Sequence, residues 1–270
     1  MLKDITIGQY FPGNSPIHRL DPRTKILLTF VYIVLLFVVS NPYGYALSIL
    51  FTLLLYVIAK IPIKMILKSL KPIIPIILFT AILNMFFVSG DPVFQIGFVS
   101  ITKQGIKLAF VMAIRILCLI AGTSILTYTT LPIALTDGIE HLLKPLKKVK
   151  FPVHELAMMM TIALRFIPTL IEETDKIMAA QKARGADMET GSVLQRAKAL
   201  IPILIPLFIS AFRRAEELAM AMEARCYRGG EGRTRLKQLK FHGVDFGAWA
   251  VLLFLFAAVI VLNLFVPAPF

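Results

Sequence analysis

Acidic residues are scarce in this chain. Sixteen Asp and Glu stand against 29 Lys and Arg over 270 residues, a formal net charge of +13. They are rarest in the apolar stretches, so the carboxylate relay of an ion-coupled transporter is missing. Cysteine is nearly absent too. Cys118 lies in an apolar run and Cys226 in a basic segment, which places them on different sides of a bilayer boundary. That excludes a disulfide framework, and two isolated thiols make no metal site. No GxxxxGK[ST] phosphate loop occurs, so ATP is not bound in that way. His154-Glu155 begins like a zinc-binding HExxH, but Met158 stands where the second His is needed. GxSxG is absent and the four histidines are scattered. No catalytic residue, metal ligand or cofactor site is expected in this chain. The first apolar run is followed by no small-residue cleavage site, so it reads as a span that stays.

What is abundant is apolar. Hydrophobic residues make up 57% of the chain, and the mean hydropathy is +0.78. A soluble domain has about 45–50% apolar residues even with Gly counted. The class is an all-α integral membrane protein. The positive charge then belongs to cytoplasmic loops and anionic lipid. No nucleic-acid module interrupts the hydrophobic pattern, and no nucleic-acid partner is expected.

Apolar runs cover residues 26–40, 45–59, 73–88, 108–128 and 246–266. A helix crosses the hydrocarbon with about 17–25 residues, so the first two need neighbouring neutral residues to span. Loop charges set the orientation. Lys3, Arg19, Arg23 and Lys25 precede the first run, "SNPYG" is uncharged, and Lys60, Lys64, Lys68 and Lys71 follow the second. The consistent solution has about five transmembrane helices, the N-terminus cytoplasmic and the C-terminus outside. The four lysines are spaced to share one helix face. They fit either a short helix lying on the inner leaflet or a plain basic loop. Arg115, inside the fourth run, is expected to find a structural partner.

Residues 129–245 carry charge and helical patterning, and form an expected cytoplasmic coupling domain between a membrane domain, 1–128, and a last span, 246–270. A first amphipathic segment begins at Leu131-Pro132 and ends near Lys150. A second runs from Phe151 to Arg184, and a third from about Ser192 to Arg228, where Gly229-Gly230 stops it. The second and third would each be about 50 Å long. Their apolar halves are interrupted or short for a span, and crossing would place many basic residues outside. A seven-span arrangement is the alternative.

Sliding the second segment onto the third by 41 residues lays Arg184 on Arg225. The charged turn EETDK then falls on RRAEE, and IMAAQKA on LAMAMEA. Both segments end in Ala-Arg-small: Ala183-Arg184-Gly185 and Ala224-Arg225-Cys226. An Arg at one helix end is ordinary dipole compensation. Two, flanked by small residues, fit plugs for a partner with two similar sockets, because a guanidinium offers five fixed donors. Met178, Met220 and Met222 just before the tips suit either an adaptable helix interface or plain packing.

These stretches resemble a known family. "SPIHRLDPRTK", "LPIALTDGIEHLLKPLKK", "FPVHELAMMMTIALRFIPTLIEETDKIMAAQKARGAD" and "PLFISAFRRAEELAMAMEARCYRGGEGRT" together are similar to the transmembrane T component of energy-coupling factor (ECF) transporters, the shared vitamin-importer type. The resemblance implies a non-catalytic coupling subunit in a prokaryotic cell membrane. Its implied partners are two ABC-type ATPase subunits, which bind the ATP and Mg, and one membrane-embedded substrate-binding S component. It implies that Ala183, Arg184, Gly185, Ala224, Arg225 and Cys226 dock into the ATPases. Cys226 departs from the Gly common at that position, which disfavours a backbone with φ > 0. The competing reading is a stand-alone permease, with Asn84, Arg115, Thr123 and Ser124 as its only polar candidates in the spans.

Overall fold

The computed structural model describes residues 10–88, 92–96, 99–186, 192–230 and 238–265. The ends of two resembling stretches, Asp187 and residues 231–234, lie outside these. The chain divides into two compact units. One takes in Ile139–Lys237, the other Gly8–Gly138 with Gln238–Phe270.

The second unit is a helical bundle. A short α1, Pro16–Arg19, leads into α2, Pro22–Val38, and α3, Pro42–Ala59. After α4, Ile63–Leu70, a 3-10 turn joins α5, Ile74–Phe87. A hairpin of β1, Pro92–Ile96, and β2, Val99–Thr102, precedes α6, Lys103–Thr129; α10, Gly243–Phe265, closes the bundle. The fold is all-α as expected, with this hairpin added. Pro opens α1, α2 and α3, where its missing N–H is no loss.

Leu35, Leu36, Val39, Tyr45, Cys118, Leu252 and Val259 form the largest buried cluster. Helix α6 lies so close to α2 that a Cβ on Gly122 would come within 2.3 Å of the Tyr32 ring. Arg115 has the structural role expected of it. Its guanidinium donates to the Tyr45 hydroxyl at 2.6 and 2.9 Å, and that hydroxyl donates onward to the Val39 carbonyl. The α2–α3 turn is tied to the end of α10. Asn41 donates to the Leu262 carbonyl at 2.9 Å and Asn263 to the Val38 carbonyl at 2.8 Å.

In the other unit α7, Pro132–Leu143, which begins in the bundle, and a 3-10 turn reach Val149. Two long helices follow: α8, Val153–Ala183, and α9, Val193–Ala224. Ser192 and Gln195 start α9 with a reciprocal capping box. Both helices continue through their internal prolines. Pro206 cannot donate to the carbonyl of Pro202 one turn back. That carbonyl accepts instead from the Gln181 side chain at 3.4 Å.

Among the described residues, Pro42–Ala59, Ile63–Phe87, Lys103–Thr129, Val153–Ala183 and Gly243–Phe265 are long and apolar enough to cross a membrane. The number equals the expected five, but the membership differs. Helix α2, with 17 residues, lies at the lower edge of the crossing range of about 17–25 and just outside this group. Helix α8 joins it with a mean hydropathy of 1.3, the lowest of the five. In sequence, Arg165 interrupts the apolar half of α8. The helix carries the pattern through Pro168, and length and composition alone make it sufficient.

Candidate functional site

Helices α8 and α9 pack with their chain directions opposed. Glu173 accepts from Ser210 at 2.5 Å and from Arg214 at 2.8 Å, while Gln181, further along α8, reaches back to Pro202 of α9. The ion pair is half-exposed, so its contribution is small, about 0.2–1 kcal/mol. Its value is positional. Glu173 and Arg214 are the same position in the 41-residue overlay that superposes Arg184 on Arg225. Two similar helices packed antiparallel are related by a local two-fold axis, and equivalent residues meet only where that axis passes. The ion pair marks this point. Each tip lies eleven residues beyond it, roughly 16 Å at 1.5 Å per residue. The two Arg tips therefore stand at opposite ends of the pair, roughly 33 Å apart along it.

The tips themselves are built alike. At the end of α8, the Gly185 N–H donates to the Lys182 carbonyl and Ala186 N–H to Gln181, each at 3.0 Å. At the end of α9, Cys226 N–H donates to Glu223 at 2.8 Å and Tyr227 N–H to Met222 at 3.0 Å. Both are Schellman motifs. Arg184 and Arg225 are the C-cap residues, with φ/ψ of −84/4 and −92/14. The next residue is left-handed in each case: Gly185 at φ 87 and Cys226 at φ 53. Ala183, Arg184, Gly185, Ala224, Arg225 and Cys226 are all exposed. Neither guanidinium is engaged within the described residues. The motif thus fixes the backbone under each Arg and leaves its fork free.

The tips differ in their floors. Arg225 and Cys226 overhang a hollow of about 420 Å³ whose other lining includes Met158, Ile162, Leu218 and Met222. Around Gly185, no atom lies within 4 Å of where a Cβ would stand. Of the three methionines singled out, Met222 lines the α8–α9 seam, Met178 is half-buried, and Met220 is exposed.

Cys226 carries the strain that Gly would not. A left-handed non-Gly residue is disfavoured by about 1–2 kcal/mol. Cys226→Gly should therefore steady the α9 tip by about 1 kcal/mol. Amide exchange at residue 226 and Tyr227 should slow about fivefold, and Gly185→Ala should speed exchange at Ala186 by a similar factor. Unchanged exchange in both variants would show that these residues leave the left-handed conformation in solution.

A second constellation was unassigned in the sequence: "SPIHRLDPRTK". In the structure it is a knot at one end of the bundle. Ser15 caps α1. His18 Nε2 donates to the Phe11 carbonyl at 3.0 Å, and its Nδ1 accepts from Ser15 Oγ at 2.7 Å. Phe11 N–H donates to the Tyr128 carbonyl at 2.9 Å. Asp21 caps α2 and pairs with Arg23 at 2.9 Å, whose guanidinium lies over the Phe241 ring. Lys25 donates to the Thr129 carbonyl at 2.8 Å and the His18 carbonyl at 3.2 Å. Asp245, 1% exposed, accepts from the Asp21 and His242 N–H groups at 2.9 and 2.7 Å. The starts of α2 and α10 and the end of α6 are thereby tied together. Burial holds the His18 imidazole below its ordinary 6.5, with Lys25 adding to this against the Phe11 hydrogen bond. A neutral His18 fits both its bonds, so the knot is at full strength above pH 6.5 and loosens on acidification. What the sequence could not show is that the partner of this N-terminal motif lies at residue 245.

The four polar candidates of the spans make no hydrogen bond to one another among the described residues, and Ser124 bonds the Tyr56 side chain. Asn84 donates to the Thr80 carbonyl and Thr123 to the Leu119 carbonyl, each at 2.8 Å within its own helix. Arg115 is held by Tyr45. Among the described residues there is no cluster of three or more His, Cys, Asp or Glu that could hold a metal.

Known proteins share this chain's sequence over most of its length. A family model described as CbiQ, cobalt transport protein, matches residues 13–236. A protein of Ruminiclostridium cellulolyticum, named energy-coupling factor transporter transmembrane protein EcfT, is 60% identical over 91% of this chain and 92% of its own length. The protein of the same name from Acidaminococcus fermentans is 53% identical over 99% of this chain and 100% of its own. That from Bacillus subtilis is 52% identical over 91% and 93%.

Proposed function

This chain belongs to the CbiQ family and, within it, to the energy-coupling factor transporter transmembrane proteins, and from that membership we propose that it is the coupling subunit between two cytoplasmic ATPases and a membrane substrate-binding S component. The observation that carries the reading is the pair of matched tips. Each presents an unengaged guanidinium on a fixed helix end, and the ends stand roughly 33 Å apart on one antiparallel pair. An Arg fork between small residues suits a groove lined by carboxylates or carbonyls. Two such forks suit two ABC-type ATPases, alike or closely related, which supply the ATP site this chain lacks. Helices α8 and α9 then act as coupling helices that pass nucleotide-driven movement to the S component, with Met178, Met220 and Met222 on the coupling surface. The tips face the cytoplasm, as does the N-terminus, and the C-terminus lies outside. The imported substrate is a vitamin or micronutrient bound by the S component.

The separate placement of the four polar candidates in the spans favours this over a stand-alone permease, which needs a convergent polar path. Reconstitution tests the choice. Vesicles holding this chain alone should show neither ATP hydrolysis nor vitamin uptake. Uptake should begin only when both ATPase subunits, an S component and ATP are supplied. ATP-independent uptake by the chain alone would overturn the coupling reading.

A further inference from the structure

The segment between α3 and α5 has three faces, and only one is occupied. Helix α3 ends at Lys60, left-handed at φ 55, and Pro62 then starts α4. The inner face of α4 is pinned to α6. Tyr128 donates to the Met65 carbonyl at 2.9 Å and also meets the Ser69 hydroxyl. Met65 and Ile66 pack on the buried cluster of Tyr56, Ala59, Ile61, Ile125 and Tyr128. This fixes which way the other two faces look.

One of them is an exposed apolar ridge: Ile63 is 72%, Leu67 61% and Ile74 55% accessible. Beside it runs the basic row, Lys60, Lys64, Lys68 and Lys71, all exposed. No carboxylate compensates them locally, because no Asp or Glu occurs between Asp21 and Asp91. None of the four lysines takes part in an ion pair within the described residues. Facing water, the ridge would be unfavourable. Facing hydrocarbon at mid-depth, four ammonium groups would be far more so. Both faces are satisfied together only at the boundary, with the ridge among acyl chains and the lysines at headgroup phosphates.

We propose that α4 and its flanking lysines are a binding site for acidic phospholipid, such as phosphatidylglycerol, rather than a generic basic loop. The occupant is a lipid because the apolar ridge and the cationic row lie side by side on one rigid element, matching the two ends of an acyl phosphodiester. A soluble anion would use only the lysines. The proposal does not rest on the coupling reading. It ties lipid composition to the end of α6, since the same Tyr128 that pins α4 also holds Phe11 of the knot.

The test uses the full-length protein in vesicles of phosphatidylcholine doped with spin-labelled phosphatidylglycerol or spin-labelled phosphatidylcholine. Wild type should prefer the acidic label, and with about 1 kcal/mol per lysine near the surface the preference should be tenfold or more. It should fall as salt rises. Lys64→Gln, Lys68→Gln and Lys71→Gln combined should remove most of it, while Lys103→Gln should leave it unchanged. Added inorganic phosphate should fail to displace the lipid. The salt titration of wild type supplies a second readout should the triple variant fold poorly. No lipid preference in wild type, or equal preference in the triple variant, would overturn the site. So would displacement by phosphate, which would make it a soluble-anion site. Unchanged lipid preference with lost subunit assembly in the triple variant would reassign the row to an acidic protein surface.

Discussion

Arg184→Glu combined with Arg225→Glu should abolish recovery of ATPase subunits with this chain while leaving the chain itself in the membrane. Both residues are exposed C-caps whose side chains make no hydrogen bond or ion pair among the described residues, so neither substitution removes a polar contact that holds the fold. The loss falls on the partner. Reversing a charge buried in a groove leaves the opposing group unpaired, about 2–5 kcal/mol per site. Under the coupling proposal both tips belong to one helix pair, so the second docking event is intramolecular, and linkage of this kind multiplies affinity by about 10²–10⁴. Either single substitution should therefore weaken co-purification, and the double should eliminate it. The drop should exceed what either single change produces on its own. Co-purification from detergent-solubilised membranes, with transport measured in parallel, checks this. Normal assembly and transport by the double variant would end the docking proposal. Equal effects of single and double variants would mean that only one tip engages.

Asp245→Ala should be the most destabilising single substitution in the knot, at about 3–5 kcal/mol. Asp245 is buried and receives two backbone N–H groups. Removing its carboxylate strands those donors and strips Lys25, itself 6% exposed, of nearby negative charge. For a chain of this size each kcal/mol shifts the midpoint by about 2–4 °C. The midpoint for retaining a monodisperse species in mild detergent should thus fall by roughly 10 °C. Asp245→Asn keeps one acceptor and should fall less. A shift of a degree or two in Asp245→Ala would show that the knot is a passive turn.

Much of this was legible in the sequence because it rests on local chemistry. The ends of α8 and α9 were readable from Ala-Arg-small and the start of α9 from Ser192, whereas Gly229-Gly230, expected to stop α9 near Arg228, lie beyond its actual end at Ala224. The left-handed strain at Cys226 followed from what Gly supplies in a Schellman end. Three things were not legible, each for a non-local reason. The partner of the Asp21 region is Asp245, more than two hundred residues away. The opposed packing of α8 and α9 brings Glu173 to Arg214, a partner 41 residues away rather than one turn along its own helix. The β1–β2 hairpin was missed because its alternating stretch is short and lies between two long apolar runs that dominate the pattern. The place of α8 among span-length helices was missed for another reason: Arg165 interrupts its apolar half in sequence, and the helix continues through it.

The ion pair midway between the two tips has a mechanical consequence. A crossing point halfway between two ends makes the pair a scissor with equal arms. Opening the angle at Glu173 and Arg214 by ~10°, shared between the two helices, would swing each tip by roughly 1.4 Å to the same side on arms of roughly 16 Å. Under the coupling proposal, equal loads on the two tips flex such a hinge without net rotation, and a load on one tip alone would be partly spent in rotating the whole.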